Sequence, residues 1–450
     1  MIDVIIRLKN AQLYTAFRNA RRHIKSKFRQ RTAIAKRNKS RATFVAITGS
    51  SAKSTTASLL SYILESTKKV RAQLIQNGVA YTIKTLGALE NDEAYVVLEI
   101  GTAGPGQIAE AAKFVRPDVA IVTLVALEHY SVFRNLANVA KEKSSLVKAL
   151  SPEGLAILNK DDPNVLAMAQ STSARVVTFG RQGADYEQTD IDARVPGALA
   201  LTLKYSGKQL RLKTRLTGAH NCLAVSAAAA CALELGCPEA AVINGVASFD
   251  PVFGRLSVHK IDNGPTFLLD TLKAPYHSLS LALETLRSST ATRKRFVLGN
   301  ISDYQGNPFP KYRDTYRAAA AIVDQVIMVG PNSHRSRATK DDIESERLVT
   351  FSDVKDVAQY IKATAVEGEL ILVKSSANLH LERIFLDFET GVQCWPNDCG
   401  VEVRCTDCGL FGYPFYTHNG KRPRRVNKSW APTLLRTLPQ RAHCDGGWSK

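Results

Sequence analysis

Short apolar runs alternate with stretches of helical periodicity along residues 43–250. Continuous apolar runs predict buried strands at Phe44–Ile47, Tyr95–Ile100, Val119–Leu124, Leu155–Asn159 and Val176–Phe179. Apolar residues repeated every three or four positions predict helices at Thr55–Leu64, Gly106–Phe114, Leu136–Leu150 and Asn221–Leu235. Because strands separated by helices form parallel sheets, the pattern predicts an α/β fold with a mostly parallel, doubly wound sheet.

A second and smaller α/β unit, of Rossmann-like type, is predicted over residues 251–390. Its apolar runs predict strands at Thr266–Leu269, Arg295–Leu298, Gln325–Val329 and Leu370–Val373. The chain has 450 residues, which is enough for two or three domains with cores of their own.

The net charge of +19 lies at the two ends of the chain. Residues 1–41 hold thirteen Lys and Arg against one Asp, and residues 391–450 hold nine against four acidic residues. Removing these excesses of +12 and +5 leaves only +2 for everything between. A nearly neutral centre argues against a nucleic-acid-binding domain and for basic appendages.

The basic arm at residues 1–40 also carries apolar residues at roughly helical spacing. They are Ile5, Leu13, Phe17, Ile24 and Phe28. The pattern predicts one basic amphipathic helix, which suits an anionic membrane surface or an acidic protein partner. Packing of that helix against the protein's own body is the alternative, and the sequence leaves both open.

A candidate phosphate-binding loop joins the first predicted strand to the first predicted helix. Its residues are Gly49, Ser50, Ser51, Ala52, Lys53, Ser54 and Thr55. In such a loop the amides and the helix N-terminus face an anion, the lysine reaches the terminal phosphates, and the next hydroxyl binds Mg²⁺. The strict motif has glycine where this chain has Ala52, and a Cβ there is expected to crowd a phosphate or to forbid a positive φ. An ordinary strand–turn–helix is the alternative.

Three further polar residues are predicted near the carboxyl ends of strands, where α/β sheets bind their ligands. Glu99 closes one strand, His129 follows the next, and Lys143 lies in the helix after it. A carboxylate and an imidazole can bind a divalent ion, and Mg²⁺ beside phosphates takes one or two carboxylates. Each residue also has an ordinary alternative, as a solvated or hydrogen-bonded side chain.

From about residue 43 to residue 385, the chain resembles the Mur ligase family, most closely the MurF type, over its central and C-terminal domains. The similar segments occur in order, and they are Ile47–Thr56, Leu98–Gly106, Arg116–Thr123, Gly218–Asn221 and Phe249–Arg255. They resemble the family's phosphate loop, its Glu-Met-Gly segment, the strand before its metal-site histidine, its Gly-x-His-Asn turn and the start of its third domain. The resemblance implies an ATP-binding central domain at 41–250 and a family C-terminal domain at 251–390, flanked by the basic arm and by a Cys-containing basic tail at 391–450.

The resemblance also implies roles for the residues near the loop. Lys53 and Ser54 would hold the phosphates and a first Mg²⁺. Glu99 and His129 would bind a second Mg²⁺, close to the reacting groups. Lys143 resembles the lysine that the family carbamylates with CO₂, which turns a cation into an anion beside a metal.

Other matched residues lie further along the chain. By resemblance, Asn221 would contact the adenine, Arg255 the phosphates, and Asp270 the ribose or the domain hinge. Lys141, two residues before the predicted carbamylated lysine, stays an alternative for that role. The segment Asp270–Pro275 reads Asp-Thr-Leu-Lys-Ala-Pro, where MurF-type ligases read Asp-Ser-Tyr-Asn-Ala-Asn-Pro, so the substrate is left open.

Four cysteines cluster after residue 390, where the family resemblance ends. They are Cys394, Cys399, Cys405 and Cys408, with four, five and two residues between successive members. The last pair, followed by glycine, resembles a zinc-knuckle turn, which predicts a four-cysteine structural Zn²⁺ site. Redox-active or simply free cysteines are the alternative.

Together the motifs predict an ATP-dependent ligase of Mur type, which activates a carboxylate as an acyl phosphate for attack by an amine and yields ADP and phosphate. Its predicted substrates are small-molecule or peptide carboxylates and amines, with ATP, Mg²⁺ and, in the tail, Zn²⁺ as cofactors. The alternative is a catalytically impaired Mur-like nucleotide-binding or scaffold protein that docks on a membrane or an anionic partner through its basic ends. No apolar run reaches membrane-spanning length, so a cytoplasmic location is expected, either free or peripheral on the inner membrane face.

Overall fold

The computed structural model describes residues 21, 24–127, 130–195, 197–401 and 403–418 of the chain. The predicted ligand His129, most of the basic arm and the tail beyond residue 418 therefore lie outside the described residues. The chain divides into two compact units, of which the first comprises Met1–Asp192, Ala200–Lys213 and Ala219–Ala247, and the second comprises the rest. In the described ranges, no helix combines the length and the apolarity that crossing a bilayer requires.

A nine-stranded sheet organises the first unit. Its strands are β1 (Thr43–Thr48), β2 (Val70–Gln73), β3 (Tyr95–Glu99), β4 (Val119–Val122), β5 (Leu155–Asn159), β6 (Arg175–Gly180), β7 (Tyr186–Asp192), β8 (Ala200–Tyr205) and β9 (Lys208–Lys213). They lie in the order β2-β3-β1-β4-β5-β6-β7-β8-β9, parallel from β2 to β7 and antiparallel from β7 to β9. Strands β1, β3, β4 and β5 are almost wholly buried, as expected where helices cover both faces of a parallel sheet.

Nine helices of the described first unit connect or cover these strands. They are α1 (24–39), α2 (Lys53–Glu65), α3 (Val79–Leu86), α4 (Gln107–Val115), α5 (Tyr130–Phe133), α6 (Leu136–Val147), α7 (Pro163–Leu166), α8 (Cys222–Glu234) and α9 (Glu239–Ser248). Helix α8 is rich in alanine and buried nearly all round, and it packs against α2.

A six-stranded sheet organises the second unit. Its strands are β10 (Ser257–Lys260), β11 (Thr266–Asp270), β12 (Lys294–Leu298), β13 (Gln325–Val329), β14 (Leu348–Phe351) and β15 (Leu370–Lys374). The order is β10-β11-β15-β12-β13-β14, with only β10 antiparallel. The helices are α10 (Leu279–Arg287), α11 (Pro308–Ala320), α12 (Lys340–Glu344), α13 (Val354–Thr364), α14 (Glu382–Glu389) and α15 (Cys405–Cys408). Alternate residues of the strands enter two hydrophobic clusters, so both faces of this sheet are covered.

The α/β fold and the mostly parallel sheet agree with the prediction. Strands β5 and β13 have the predicted bounds, and the other predicted strands and helices are shifted by one to three residues at their ends. The sequence reading missed β2, β10 and β14 and the antiparallel strands β7 to β9. Strand β9 alternates exposed and buried residues, so period-two alternation was the signal that could have revealed it.

Helix α1 holds the described part of the basic arm. Near its C-terminal end, the Arg37 guanidinium donates to the carbonyl oxygens of Val115 and Arg116 at 2.6 and 2.7 Å. At the other end, Ile24 and Phe28 are 69% and 70% exposed. One end of the helix therefore contacts the first unit, in line with the alternative prediction that the helix packs against the protein's own body. The other end presents apolar side chains to solvent.

Candidate nucleotide and metal site

The loop between β1 and α2 consists of Gly49–Ala52 and is fastened to the segment that follows the neighbouring strand β4. The backbone N–H of Ser50 donates to the Leu124 carbonyl at 2.7 Å. The hydroxyl of Thr123 donates to the Ser51 carbonyl at 2.6 Å. These bonds hold the loop at the carboxyl end of the parallel strands, where open α/β sheets bind their ligands.

Gly49 is required by the path of this loop. Its φ is +150°, and a Cβ built there would lie 1.9 Å from the Thr123 hydroxyl oxygen. The ammonium of Lys53, the first residue of α2, donates to the Gly49 carbonyl at 2.5 Å. The helix dipole opposes a cation at this end, so an anion that faces both the lysine and the helix N-terminus would be stabilised.

Ala52 corrects one expectation from the sequence. Its φ and ψ are 64° and −7°, in the left-handed region, so the methyl group does not forbid a positive φ. The conformation costs an alanine about 1–2 kcal/mol. It leaves the Ala52 carbonyl in place to accept from the backbone N–H and the hydroxyl of Thr56, both at 2.9 Å, as the first turn of α2 forms. The loop therefore keeps the backbone shape that glycine would give. This removes one argument for the alternative that the protein is catalytically impaired.

Glu99 ends β3, directly beside the residue of β1 that precedes the loop by two positions. Its side chain is buried, and its two oxygens accept from the Ile75 backbone N–H at 2.8 Å and from the Asn77 amide at 2.9 Å. A Cβ on Gly101 would lie 2.4 Å from the Asn77 side chain, so this glycine makes room for the amide. Asn77 positions Glu99, and the sequence reading missed it because β2, which leads to it, was not predicted.

The two candidate lysines of α6 have different surroundings. Lys143 is 1% exposed, whereas Lys141 is exposed. Between them, the Glu142 carboxylate accepts from the backbone N–H groups of Gly106 and Ile108, at 2.7 and 2.8 Å, and so caps the N-terminus of α4. Lys143 is thus the buried member of the pair, and the carbamylated role that the resemblance implies for it stays a prediction.

His129 itself is not among the described residues, but the chain leading to it is held by an aspartate. One oxygen of the Asp162 carboxylate accepts from the Val125 backbone N–H at 2.6 Å. Its other oxygen accepts from the N–H groups of Asn164 and Val165 at the start of α7. The sequence reading missed this contact because its partners lie 37 residues apart.

The three remaining residues predicted to contact the nucleotide are divided between the two units. Asn221 is buried in a turn just before α8 of the first unit. Arg255 and Asp270 belong to the second unit. Asp270 ends β11 and pairs with the Lys374 ammonium at 2.5 Å, while the Nε of Arg255 is buried without a hydrogen-bond partner in the described part of the chain. The roles inferred for these residues stay predictions.

The described residues around the loop fit a magnesium ion. Hydroxyl and carboxylate oxygens, as on Ser54 and Glu99, are the hard donors that Mg²⁺ prefers. Each Glu99 oxygen keeps a lone pair after accepting its single N–H. The hydroxyl oxygen of Thr48, the last residue of β1, is buried and has no hydrogen-bond partner within the described ranges, so a further polar group is available at this edge.

The four tail cysteines are brought together in the second unit. Cys394, Cys399, Cys405 and Cys408 line one cavity of about 180 Å³, hereafter the cysteine cavity. By contrast, the cysteines of α8 are core residues of the first unit. Burial raises the pKa of Cys222 to about 11, so that thiol stays protonated at neutral pH.

Comparison with known proteins finds a matching family model in each of the two units. The family model of the Mur ligase middle domain matches residues 47–232. The model described as Mur ligase, glutamate ligase domain matches residues 254–377. The two matches together cover most of both units, and they include the loop, Glu99 and Lys143.

Individual relatives show the same extent of similarity. The UDP-N-acetylmuramoyl-tripeptide–D-alanyl-D-alanine ligase of Escherichia coli (strain K12) is 27% identical over 358 residues, which cover 78% of this chain and 77% of that protein. The crystal structure of the Thermotoga maritima MurF ligase in complex with ADP has a TM-score of 0.71 at 21% identity, and the match covers 81% of this chain and 83% of that one. A pseudomurein peptide ligase type C from Methanothermus fervidus has a TM-score of 0.60 at 18% identity, covering 77% and 79% of the two chains. At such identities the solved structures establish the fold.

Proposed function

Because the chain belongs to the Mur ligase family, we propose that it is an ATP-dependent ligase that joins a carboxylate to an amine. The curated relatives it matches are named as ligases of D-alanyl-D-alanine to a UDP-N-acetylmuramoyl tripeptide. An amino acid or short peptide is therefore the first class of amine to examine. The carboxylate substrate to test with it is the terminal carboxylate of a peptide or that of a small acid.

The proposed reaction has two steps. A substrate carboxylate oxygen attacks the γ-phosphorus of ATP, which breaks the bond to ADP and gives an acyl phosphate. The amine nitrogen then attacks the acyl carbon, loses a proton to solvent or to a nearby base, and expels inorganic phosphate from the tetrahedral intermediate. The protein contributes positioning and charge neutralisation to both steps.

The observation that carries the proposal is the arrangement at the ends of β1 and β3. The loop of Gly49–Ala52 and the N-terminus of α2 supply amides, and Lys53 supplies the cation for a triphosphate. Glu99 is held by two N–H donors at the end of the adjacent strand. Mg²⁺ held by Ser54, Glu99, His129 and a carbamate on Lys143 would neutralise phosphate charge when bound.

Lys53 gives the direct test of nucleotide chemistry. ADP release is measured with Mg-ATP and a panel of carboxylate and amine pairs, D-alanyl-D-alanine included. We expect Lys53→Ala to lower kcat/KM by about 10²–10³-fold, as loss of one charge-stabilising donor does. Lys68→Ala, at an exposed lysine three residues after the end of α2, serves as the matched control. Unchanged turnover in both Lys53→Ala and His129→Ala would contradict the assignment.

Lys143 and Lys141 form a matched pair on one helix. We expect Lys143→Ala to abolish turnover and Lys141→Ala to leave it within about twofold, since a surface lysine away from such features contributes little. If a carbamate is the functional form, turnover of the unmodified enzyme falls in CO₂-free buffer and returns with bicarbonate. Equal sensitivity of the two lysines would argue against a carbamate at residue 143.

We also propose that Asn221 contacts the adenine, Arg255 the phosphates and Asp270 the ribose or the hinge, as the family resemblance implies. Asn221→Ala should raise KM for ATP more than it lowers kcat, because an adenine contact is remote from the reacting atoms. For Arg255→Ala we expect the opposite split. The measurement is steady-state ADP release at several ATP concentrations.

A peripheral position on an anionic membrane is a second proposal, which rests on α1. Exposed Ile24 and Phe28 on a helix surrounded by lysine and arginine are the arrangement that anionic lipid surfaces bind. The double substitution Ile24→Ser with Phe28→Ser should release the protein from sedimenting phosphatidylserine vesicles. Ile343→Ser removes another exposed aliphatic side chain, 59% exposed, from α12 and should have no effect. Equal sedimentation of all three proteins would contradict the proposal.

A further inference from the structure

The segment of residues 391–418 has a definite path but little regular structure of its own. It contains one four-residue helical turn, α15, and a 3-10 turn at Phe415–Thr417. Packing holds part of it, because Val392 and Cys405 lie in a hydrophobic cluster of the second unit, and a disulfide or a metal is the usual further support of such an irregular segment. The seven cysteines of the described residues are all free thiols, so a disulfide does not supply this support.

The cysteine cavity lies where this segment meets α14. Besides the four thiols, His380 and Arg383 line it on one side and Phe411 on another. The backbone N–H groups of Gln393 and Cys394 donate to the Phe411 carbonyl at 2.9 and 3.1 Å, which folds the segment back on itself. The cavity is thus lined by two stretches of the segment and by the start of α14.

Arg383 is the feature of this cavity that calls for an anion. Its side chain is fully buried, and no described carboxylate lies within 4.0 Å of it. Its Nε donates to the Cys405 sulfur at 3.2 Å and its Nη1 to the Pro396 carbonyl at 2.7 Å, while Nη2 has no partner among the described residues. A buried guanidinium is costly unless negative charge faces it, and thiolate sulfur would provide that charge.

A second nitrogen points at a second thiol. The Nε2 of His380 lies 3.3 Å from the Cys399 sulfur, and its Nδ1 lies 3.3 Å from a Glu382 oxygen. Donor nitrogens around sulfur ligands are the usual outer partners of a thiolate metal site, where they orient the ligands and balance their charge. Two different sulfurs of the cavity therefore already have the outer contacts of a metal centre.

The turn that carries the last two cysteines has the form of a metal knuckle. Cys405 and Cys408 occupy the two ends of α15, and Gly409 follows with φ 69°. The Gly409 N–H donates to the Cys405 carbonyl at 2.9 Å, which closes the turn. Two cysteines separated by two residues in a tight turn present both sulfurs to one ion.

We propose that the four thiols of the cysteine cavity bind one structural Zn²⁺, which cross-links residues 394–408, while Arg383 of α14 contacts one of the sulfurs from outside. Zn²⁺ is bound at about 2.3 Å by each of four thiolates in such sites, so the sulfurs move inward when the ion enters. The four thiolates and the ion carry a net charge of −2, and the Arg383 guanidinium neutralises part of it. This inference does not rest on the ligase activity.

One other donor set lies in the same place. The ligand atoms of His380, Glu382 and Cys405 lie within 4.8 Å of one another, whereas the four cysteine sulfurs do not all lie within that distance before an ion draws them together. The Glu382 oxygen nearest His380 also accepts the Cys405 backbone N–H at 3.0 Å, and His380 Nε2 lies 3.0 Å from the Val401 carbonyl. Both side chains would have to give up these bonds to ligate an ion, so we assign them to the outer shell.

The test measures metal in the full chain, purified under reducing conditions without added metal. We expect about one Zn per chain by atomic absorption, and a loss of at least tenfold in each of Cys394→Ala, Cys399→Ala, Cys405→Ala and Cys408→Ala. Cys237→Ala, which removes a buried thiol of the first unit, is the matched control and should keep its zinc. Arg383→Met should retain zinc with about 10–100-fold weaker affinity.

Cobalt substitution keeps the proposal testable if a variant fails to fold. The unmodified chain reconstituted with Co²⁺ should show the visible d–d and thiolate charge-transfer bands of a tetrahedral sulfur site. Absence of zinc and of these bands would overturn the proposal. Loss of zinc from His380→Ala and Glu382→Gln, with zinc retained by Cys394→Ala and Cys408→Ala, would also overturn it. So would disulfide bonds among the four cysteines in protein that was purified under reducing conditions. ADP release measured on the same samples separates this outcome from failure of the ligase assignment.

Discussion

The phosphate loop and the cysteine segment are both irregular stretches of chain, but they are held in different ways. The loop of Gly49–Ala52 is four residues long and is suspended between a buried strand and a helix, with backbone bonds to the end of the adjacent strand. The described residues of 391–418 form no strand, and their turns are joined to the rest of the second unit by side chains such as Arg383 and His380.

The difference shows where each stretch gets its stability. The loop is held by the cooperative sheet around it, so local changes in it affect ligand binding before they affect folding. The cysteine segment has few backbone ladders, so its order depends on side-chain packing, in which Val392 and Cys405 join a hydrophobic cluster, and on the proposed ion. Four predictions test this contrast, from the largest expected effect to the smallest.

Removal of metal should have the largest effect, and only in the second unit. Treatment of the full chain with a strong zinc chelator should remove hydrogen-exchange protection from residues 391–418, because the apparent binding free energy of a structural zinc is about 10–16 kcal/mol. Residues 43–73 should exchange at an unchanged rate. Hydrogen exchange read by mass spectrometry measures both. Loss of protection in both units, or in neither, would remove the contrast.

Gly49→Ala should have the next largest effect, at the phosphate loop. The added Cβ would overlap the Thr123 hydroxyl, with 1.9 Å between them, so we expect ATP binding to weaken by about 10²-fold and stability to fall by about 1–3 kcal/mol. Isothermal titration with Mg-ATP and urea unfolding measure the two effects. Gly78→Ala is the matched control, because nothing lies within 4 Å of its Cβ. Similar behaviour of both variants would contradict this account.

Acidification should weaken the regular part of the second unit through His259. Burial lowers the pKa of His259 to about 4, below its usual 6.5, where it lies 2.8 Å from the Ser257 hydroxyl and packs on Phe385. As pH falls, His259 is therefore protonated in the unfolded chain before it is protonated in the folded chain. Its contribution to the free energy of unfolding is complete above pH 6.5 and is lost as pH falls toward 4.

His259→Gln should flatten that part of the pH dependence in urea unfolding between pH 7 and pH 4. The exposed His334→Gln should follow the unmodified protein. Because the comparison is between variants with the same cysteines, acid release of zinc cancels from the difference. Parallel pH curves for His259→Gln and the unmodified chain would show that this histidine does not govern the loss.

Ala52→Gly should have the smallest effect, and it should be a gain. Glycine removes the cost of a left-handed alanine but adds freedom to the unfolded chain, which leaves about 0.5–1 kcal/mol of added stability. Ala57→Gly, in the regular part of α2, should instead lose about 1 kcal/mol or more. Urea unfolding midpoints compare the two. A loss of stability at residue 52 would mean that the methyl group makes a contact worth more than its strain.

Much of the fold was predictable because buried parallel strands are continuous apolar runs, as Leu155–Asn159 and Gln325–Val329 illustrate. The antiparallel edge was missed because its strands are polar on one face and so contain no continuous apolar run. Helical spacing could have shown that Lys143, rather than Lys141, is the buried lysine of α6, since Val139 and Leu146 lie on the same face of the helix as Lys143. Asn77 and Asp162 could not have been found, because each acts through partners distant in sequence whose proximity only the folded sheet creates.

The attachment of α1 to the first unit has a practical consequence for any shortened version of this protein. Arg37 donates to carbonyl oxygens at the C-terminal end of α4, and Lys36 donates to the Leu89 carbonyl at 2.8 Å. Deleting residues 1–40 to look for lipid binding would therefore also uncap a helix, and a loosened domain could be mistaken for a lost lipid contact. A deletion that stops before residue 24 keeps Lys36 and Arg37. It therefore removes basic charge but leaves the hydrogen bonds of these two side chains to the first unit in place.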